Sequence, residues 1–239
     1  MKGAVLDRLL HLRAAQRPVA LLTDLASGRQ ALIVDGRAEG ELQPGPDQLA
    51  AAVDAIQSDR SGLLPGAPES FLQVFNPPLR LIIVGAVHIA QVLAPMAALL
   101  GYRVAVVDPR RAWATAERFP EVTVLTDWPD AALAGLGLDR RSAVVTLSHD
   151  PKLDDPALEA ALKSDAFYIA ALGSRKTHAK RIERLRARGI GEPNLARIHG
   201  PAGLALGGRR PGEIAVSILA QMTQSLHETA PAVSARAAG

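Results

Sequence analysis

Hydrophobic positions along the chain change period several times, and each change marks an element. From Ala4 to Gln16, Val5, Leu9, Leu10 and Leu12 recur at helical spacing, and residues 18–25 then switch to a short apolar run of strand type. Ser27-Gly28 supplies a turn, Ala31 to Val34 reads as a second strand, and Asp35-Gly36 predicts a hairpin leading into residues 39–42. After Pro46, residues 47–56 read as a helix with Asp47 as its N-cap. A small α+β domain over residues 1–60 is therefore expected, followed by a packed linker over residues 61–78, where Pro65, Gly66, Pro68, Pro77 and Pro78 punctuate Phe71, Val74 and Phe75.

From Leu79 the pattern becomes regular. Apolar, β-branched runs at 81–84, 104–107, 122–125, 143–147 and 167–172 have the continuous character of strands buried on both faces, which is the signature of a parallel sheet. Helices are predicted between them at 89–100, 112–118, 155–162 and 176–188, with Pro95 expected to kink the first. A sixth short strand falls at 196–199, and a final helix runs over 212–226, entered through Pro211. The expected fold class is α/β: a doubly wound, mostly parallel Rossmann-type sheet over residues 79–239, behind the small α+β domain.

Composition narrows this picture. Hydrophobic residues make up 48% of the chain but aromatics only 3%, so the core must be built from aliphatic side chains. The chain has no cysteine, which excludes disulfides, thiolate catalysis and Cys-ligated zinc, and points to a reducing compartment, the cytoplasm. No apolar run approaches the roughly 20 residues needed to span a bilayer, and Asp7 interrupts the start where a signal peptide would stay apolar. Neither a membrane nor an export segment is expected. A net charge of +3 makes no case for a nucleic-acid partner. Residues 175–188 depart from this, with Arg175, Lys176, Lys180, Arg181, Arg184, Arg186 and Arg188 against Glu183: either a solvated helix face or an anion-attracting surface.

Ligands of open α/β sheets bind beyond the carboxyl ends of the strands, where strand order reverses, and that rule selects loops before residues. The loop after the first strand, Gly85-Ala86-Val87-His88-Ile89-Ala90, matches a dinucleotide fingerprint at its first Gly and its last small residue, but Val87 stands where the second Gly would let the backbone approach a pyrophosphate. Asp108 ends the second strand at about the 20-residue offset of an acidic ribose ligand. Arg110 and Arg111 follow it, suited to a 2′-phosphate or a pterin phosphate, or to plain surface. The fourth strand leads into Ser148-His149-Asp150-Pro151, across the switch point from His88; a His beside an Asp there serves as general base, metal ligand or loop tie. The fifth strand runs into Gly173-Ser174-Arg175-Lys176, the best phosphate cradle in the chain: Gly permits close approach, Ser caps a helix, and free N–H groups with Arg and Lys favour an anion.

Taken in order, Gly85-Ala86-Val87-His88-Ile89-Ala90, Asp108-Pro109-Arg110, Arg118-Phe119-Pro120, Ser148-His149-Asp150-Pro151-Lys152-Leu153-Asp154, Leu172-Gly173-Ser174-Arg175-Lys176-Thr177 and Pro211-Gly212-Glu213-Ile214 resemble the motif series of the XdhC/CoxI family, accessory factors of xanthine and carbon monoxide dehydrogenases. The resemblance covers about residues 79–224 and implies a Rossmann-type domain behind a small N-terminal one. It further implies a non-catalytic chaperone that binds molybdenum cofactor, assists its sulfuration and passes it to a molybdenum hydroxylase apoenzyme. Homodimerisation and a cysteine desulfurase partner come with it. On that reading Gly173, Ser174, Arg175 and Lys176 hold the pterin phosphate, His88, His149 and Asp150 line the crevice, Asp108 fixes a ribose or pterin edge, and Gly85, Ala86 and Arg110 complete the cofactor-binding set. On this resemblance the chain looks like a divergent member: Val87 stands where the family usually has a Gly, the loop at Ser27-Gly28 is short, and Arg37 stands in Asp35-Gly36-Arg37-Ala38-Glu39-Gly40 where the family usually has a cysteine. The alternatives are an NAD(P)-dependent oxidoreductase with His149 moving a proton, a metal-dependent hydrolase, and a structural dimer module.

Overall fold

The computed structural model describes residues 3–228, which form two compact units that meet in sequence between Pro77 and Pro78. The first contains α1 (Gly3–Ala14), β1 (Val19–Asp24), β2 (Gln30–Val34), β3 (Arg37–Gly40), α2 (Pro46–Gln57), β4 (Gly62–Leu64) and β5 (Ala67–Phe75). Its strands make one antiparallel sheet in the order β3-β2-β1-β5-β4. Strand alternation sends Val19, Leu21, Leu32 and Val34 against Leu9 and Leu12 of α1, and Ala20, Leu22 and Ile33 against Ala52 and Ile56 of α2. Asp35 and Gly36 both take positive φ, 49° and 73°, and join Val34 to Arg37 in the predicted hairpin.

Two local expectations fail in this unit. The segment 61–78 is no linker along most of its length, because β5 pairs with β1 from Val19↔Phe75 to Asp24↔Ser70, and Pro65-Gly66 is a hairpin tip. The N-cap of α2 is Gly45, with Pro46 in the first turn, and the Gly45 N–H donates to Gln48 Oε1 at 3.0 Å. Asp47 therefore lies inside the first turn, where its charge still suits the helix dipole.

The second unit runs β6 (Arg80–Val84), α3 (His88–Leu99), β7 (Arg103–Val107), β8 (Thr123–Leu125), α4 (Pro129–Leu136), β9 (Ser142–Thr146), α5 (Pro151–Leu162), β10 (Tyr168–Ala171), α6 (Arg175–Ala187), α7 (Glu192–Leu195), β11 (Ile198–His199) and α8 (Pro211–Glu228). Its sheet is parallel throughout, in the order β11-β10-β9-β6-β7-β8. Leu81, Ile83, Val104, Val106, Ala143 and Val145 face the side covered by α3 and α8, while Ile82, Val84, Val144 and Ile169 face α4, α5 and α6. This is the doubly wound Rossmann-type arrangement, and it places the switch point between β6 and β9.

Helix boundaries shift for identifiable reasons. The helix predicted at 112–118 is replaced by separate turns, closed by Ala114 N–H to Arg110 O and Phe119 N–H to Thr115 O, with Arg118 tied to Trp113 O and Gln91 Oε1. The unpredicted α4 starts with Pro129 and stops at left-handed Gly137, φ 56°. Helix α5 begins a turn earlier than expected because the Asp150 side chain accepts the Lys152 N–H.

Candidate functional site

The loops at the carboxyl edge of the parallel sheet form one connected rim. Gly85, at φ 111°, lies so close to the next loop that a Cβ there would sit 2.8 Å from the Ser148 backbone nitrogen. The loops after β6 and β9 are thus packed on each other across the switch point. The loop after β7 is tied in by Asp108, whose Oδ2 accepts the Ala86 N–H at 2.8 Å. His88 and His149 stand on these adjoining loops, yet both are exposed at the surface. His149 holds φ 62°, an unusual conformation for a residue with a side chain.

Asp108 is fully buried and fully engaged. Besides Ala86, it accepts from the Arg110 N–H at 3.0 Å, Arg110 Nε at 2.9 Å and Arg110 Nη2 at 2.7 Å, so each oxygen takes two donors. Burial alone would raise this carboxyl; the Arg110 side chain, the two backbone N–H groups and the Arg110 charge together outweigh it and hold the acid below its ordinary value. The Arg110 guanidinium also lies 5.1 Å from the Trp113 ring centroid and feels Asp150 and Asp154 of the opposing loop. Asp108 organises Arg110 and has no acceptor site left for the ribose hydroxyls expected from the sequence.

The loops after β9 and β10 are joined beneath the surface. Ser148 Oγ donates to Asp154 Oδ1 at 2.7 Å, Asp154 lies 3.5 Å from Arg181 Nη2, and that nitrogen donates to the Leu172 carbonyl at 2.9 Å. Asp154 and Arg181 are both buried. Burial pushes the Asp154 carboxyl up despite Ser148 and Arg181, and it pulls the Arg181 guanidinium down. One residue on, Asp155 holds Arg184 through bonds of 2.7 and 2.9 Å.

At the fifth-strand loop, Gly173 takes φ 140° and Ser174 caps α6 by accepting the Thr177 N–H at 3.1 Å. The N–H groups of Arg175 and Lys176 open the helix, where no intrahelical acceptor exists for them, and both side chains are exposed. Farther along the helix the basic run is consumed internally: Arg181 meets Asp154, Arg184 meets Asp155, Arg186 meets Glu192 and Arg188 meets Glu159. The free positive charge of α6 is therefore concentrated at its first turns, on Arg175, Lys176 and Lys180.

Sequence reasoning missed the Asp154–Arg181 link, because a basic run reads as a solvated face until a buried acid is placed opposite. It also missed His178, which packs against Gly200 so closely that a Cβ there would fall 1.9 Å from its Nδ1. Among the described residues no group of three or more His, Asp or Glu is placed to hold a metal ion, and no helix is long and apolar enough to cross a membrane.

A parallel sheet in this order, with a glycine-led first loop and loops gathered at the switch point, defines a Rossmann-type domain. The chain belongs to the XdhC family, whose Rossmann-domain model matches residues 81–222. It is 33% identical over 171 residues to the uncharacterised protein YqeB of Escherichia coli (strain K12), covering 72% of this chain and 31% of YqeB. It is 32% identical to the E. coli molybdenum cofactor insertion chaperone PaoD, over 64% of this chain and 42% of PaoD. It is also 32% identical to a protein of Bacillus subtilis (strain 168) named as a probable component of xanthine dehydrogenase, over 65% of this chain and 45% of that protein. The matched stretch thus spans less than half the length of each relative. A crystal structure described as a xanthine dehydrogenase from Bacillus halodurans shares the fold, with a TM-score of 0.74 and 24% identity over 93% of this chain and 66% of that one.

Proposed function

We propose that the chain is a non-catalytic maturation factor that binds molybdenum cofactor through its pterin phosphate and passes it to the apoenzyme of a molybdenum hydroxylase. The observation that carries this reading is the fifth-strand loop. Gly173 permits close backbone approach, Ser174 shapes the helix entry, and Arg175 and Lys176 add unpaired charge to the free N–H groups of α6. The residues present fit a phosphate: the first N–H groups of α6, the Ser174 hydroxyl and two exposed cations adjoin there, with no carboxylate in the loop. His88, His149 and Asp150 line the neighbouring rim. The role that PaoD's name gives it and the name of the B. subtilis relative support the same direction. When bound, the cofactor supplies the redox chemistry of the client enzyme; this chain binds, orients and shields it. Having no cysteine, the chain cannot carry sulfur as a persulfide, so sulfuration falls to a separate cysteine desulfurase.

The test is acid release and fluorescence detection of oxidised pterin from protein co-expressed with the cofactor pathway, beside an Arg175→Ala variant. A near-stoichiometric signal that drops in the variant is expected. Protein free of pterin, with the client hydroxylase fully metallated in its absence, would overturn the proposal.

A further inference from the structure

We infer that the loop after β7 is a second anion subsite, built on Arg110, that takes a phosphomonoester and rejects a free ribose diol. The inference rests on the reading that the crevice holds a phosphate-bearing ligand, and it names the chemistry the crevice selects at its other end. In a Rossmann-type crevice the acid ending the second strand ordinarily accepts hydrogen bonds from ribose hydroxyls. Here a carboxylate with about four acceptor positions already receives four donors, from Ala86 N, Arg110 N, Arg110 Nε and Arg110 Nη2. A diol brought to this end would lose water and gain no acceptor.

An anion meets the opposite situation. One edge of the Arg110 guanidinium, Nε and Nη2, is committed to Asp108, which leaves Nη1 and the remaining Nη2 hydrogen for a ligand, and the side chain is 38% exposed. Its position is fixed in advance. The Asp108 clamp holds it from one side, and Trp113 lies 5.1 Å away with Arg118 over the same ring at 5.6 Å. Arg118 is itself anchored to Trp113 O at 2.7 Å and to Gln91 Oε1 at 3.1 Å. Arg111 adds an exposed positive charge next door. A preorganised guanidinium with two outward donors matches phosphate oxygens, and the entropy of ordering it is already spent. With the pterin phosphate placed at the fifth-strand loop, the phosphomonoester for this end is the 2′-phosphate of a nucleotide.

The experiment uses the full chain carrying Trp128→Phe, so that Trp113 is the sole indole, and titrates adenosine 2′,5′-bisphosphate and 5′-AMP by calorimetry and Trp113 fluorescence. The bisphosphate should bind at least about tenfold more tightly, the scale of a hydrogen-bonded charge contact, and should perturb Trp113. Arg110→Gln should abolish the preference. If that variant loses its fold because Asp108 is left buried, the double variant Asp108→Asn/Arg110→Gln removes the pair together and must also bind the two nucleotides equally. Equal affinity in the parent, binding of neither nucleotide, or a preference that survives loss of Arg110 would overturn the inference. Loss of pterin in Arg175→Ala with the nucleotide preference intact separates the fate of this inference from that of the maturation role.

Discussion

Gly85 and Ser148 touch backbone to backbone across the switch point of the parallel sheet, and the contact leaves no room for a side chain on Gly85. The first glycine of the β6 loop is therefore explained by the neighbouring loop before any ligand is considered.

Gly85→Ala should destabilise the second unit by roughly 2–3 kcal/mol, since it combines a strained φ with a Cβ 2.8 Å from main-chain atoms that cannot swing away. Gly101→Ala is the control: φ is 85° there but the space is open, so only the roughly 1–2 kcal/mol left-handed penalty applies. Urea unfolding of both variants measures the difference, and equal losses would show that the contact with Ser148 yields at no cost.

Arg184→Ala should cost about 2 kcal/mol, because it leaves the fully buried Asp155 carboxylate without its bidentate partner; the exposed edge of Arg184 keeps the loss below that of a wholly buried pair. Removing both charges in Asp155→Ala/Arg184→Ala should recover part of the loss. A double-mutant cycle by chemical denaturation checks the sign of the coupling.

His178 should make the protein less stable in mild acid. Burial, followed by the charge of Arg181, holds its imidazole below the ordinary value, and its Nδ1 is buried without a hydrogen-bond partner. Above about pH 6.5 both folded and unfolded chains keep it neutral. As pH falls from there toward the depressed folded value, the unfolded chain binds the proton first and stability is lost across that window. Thermal melts at about pH 7.5 and 5.5 should show a smaller drop for His178→Gln than for the parent; His199, depressed by burial in the same direction, contributes equally to both.

Much of the architecture was legible because the strands of a two-sided sheet must be apolar along their whole length. The runs beginning at Leu81, Val104, Ala143 and Phe167 each match a strand of the sheet to within one residue at either end, and the resemblance carried by the loop motifs agrees with the family match. Elements that depend on tertiary partners were less visible. The strand ending at Phe75 is broken by turn formers on its N-terminal side and gains its identity from pairing with β1. The turns at 110–119 carry helical periodicity but are held by Arg118 and its contacts with Trp113 and Gln91. At the site, sequence located the loops but could not tell which charges were already spent. Asp108 reads as a ligand group until Arg110 is seen folded back on it, and Arg181 reads as solvated until Asp154 is placed opposite.

The two outermost strands of the parallel sheet have a consequence for how copies of this protein can meet. Strand β8 offers only Thr123–Leu125 and β11 only Ile198–His199, so each border presents too little unpaired backbone to template a further strand. Growth of this sheet from one molecule into the next is thereby discouraged, and any partner of the second unit must be met through helices and loops.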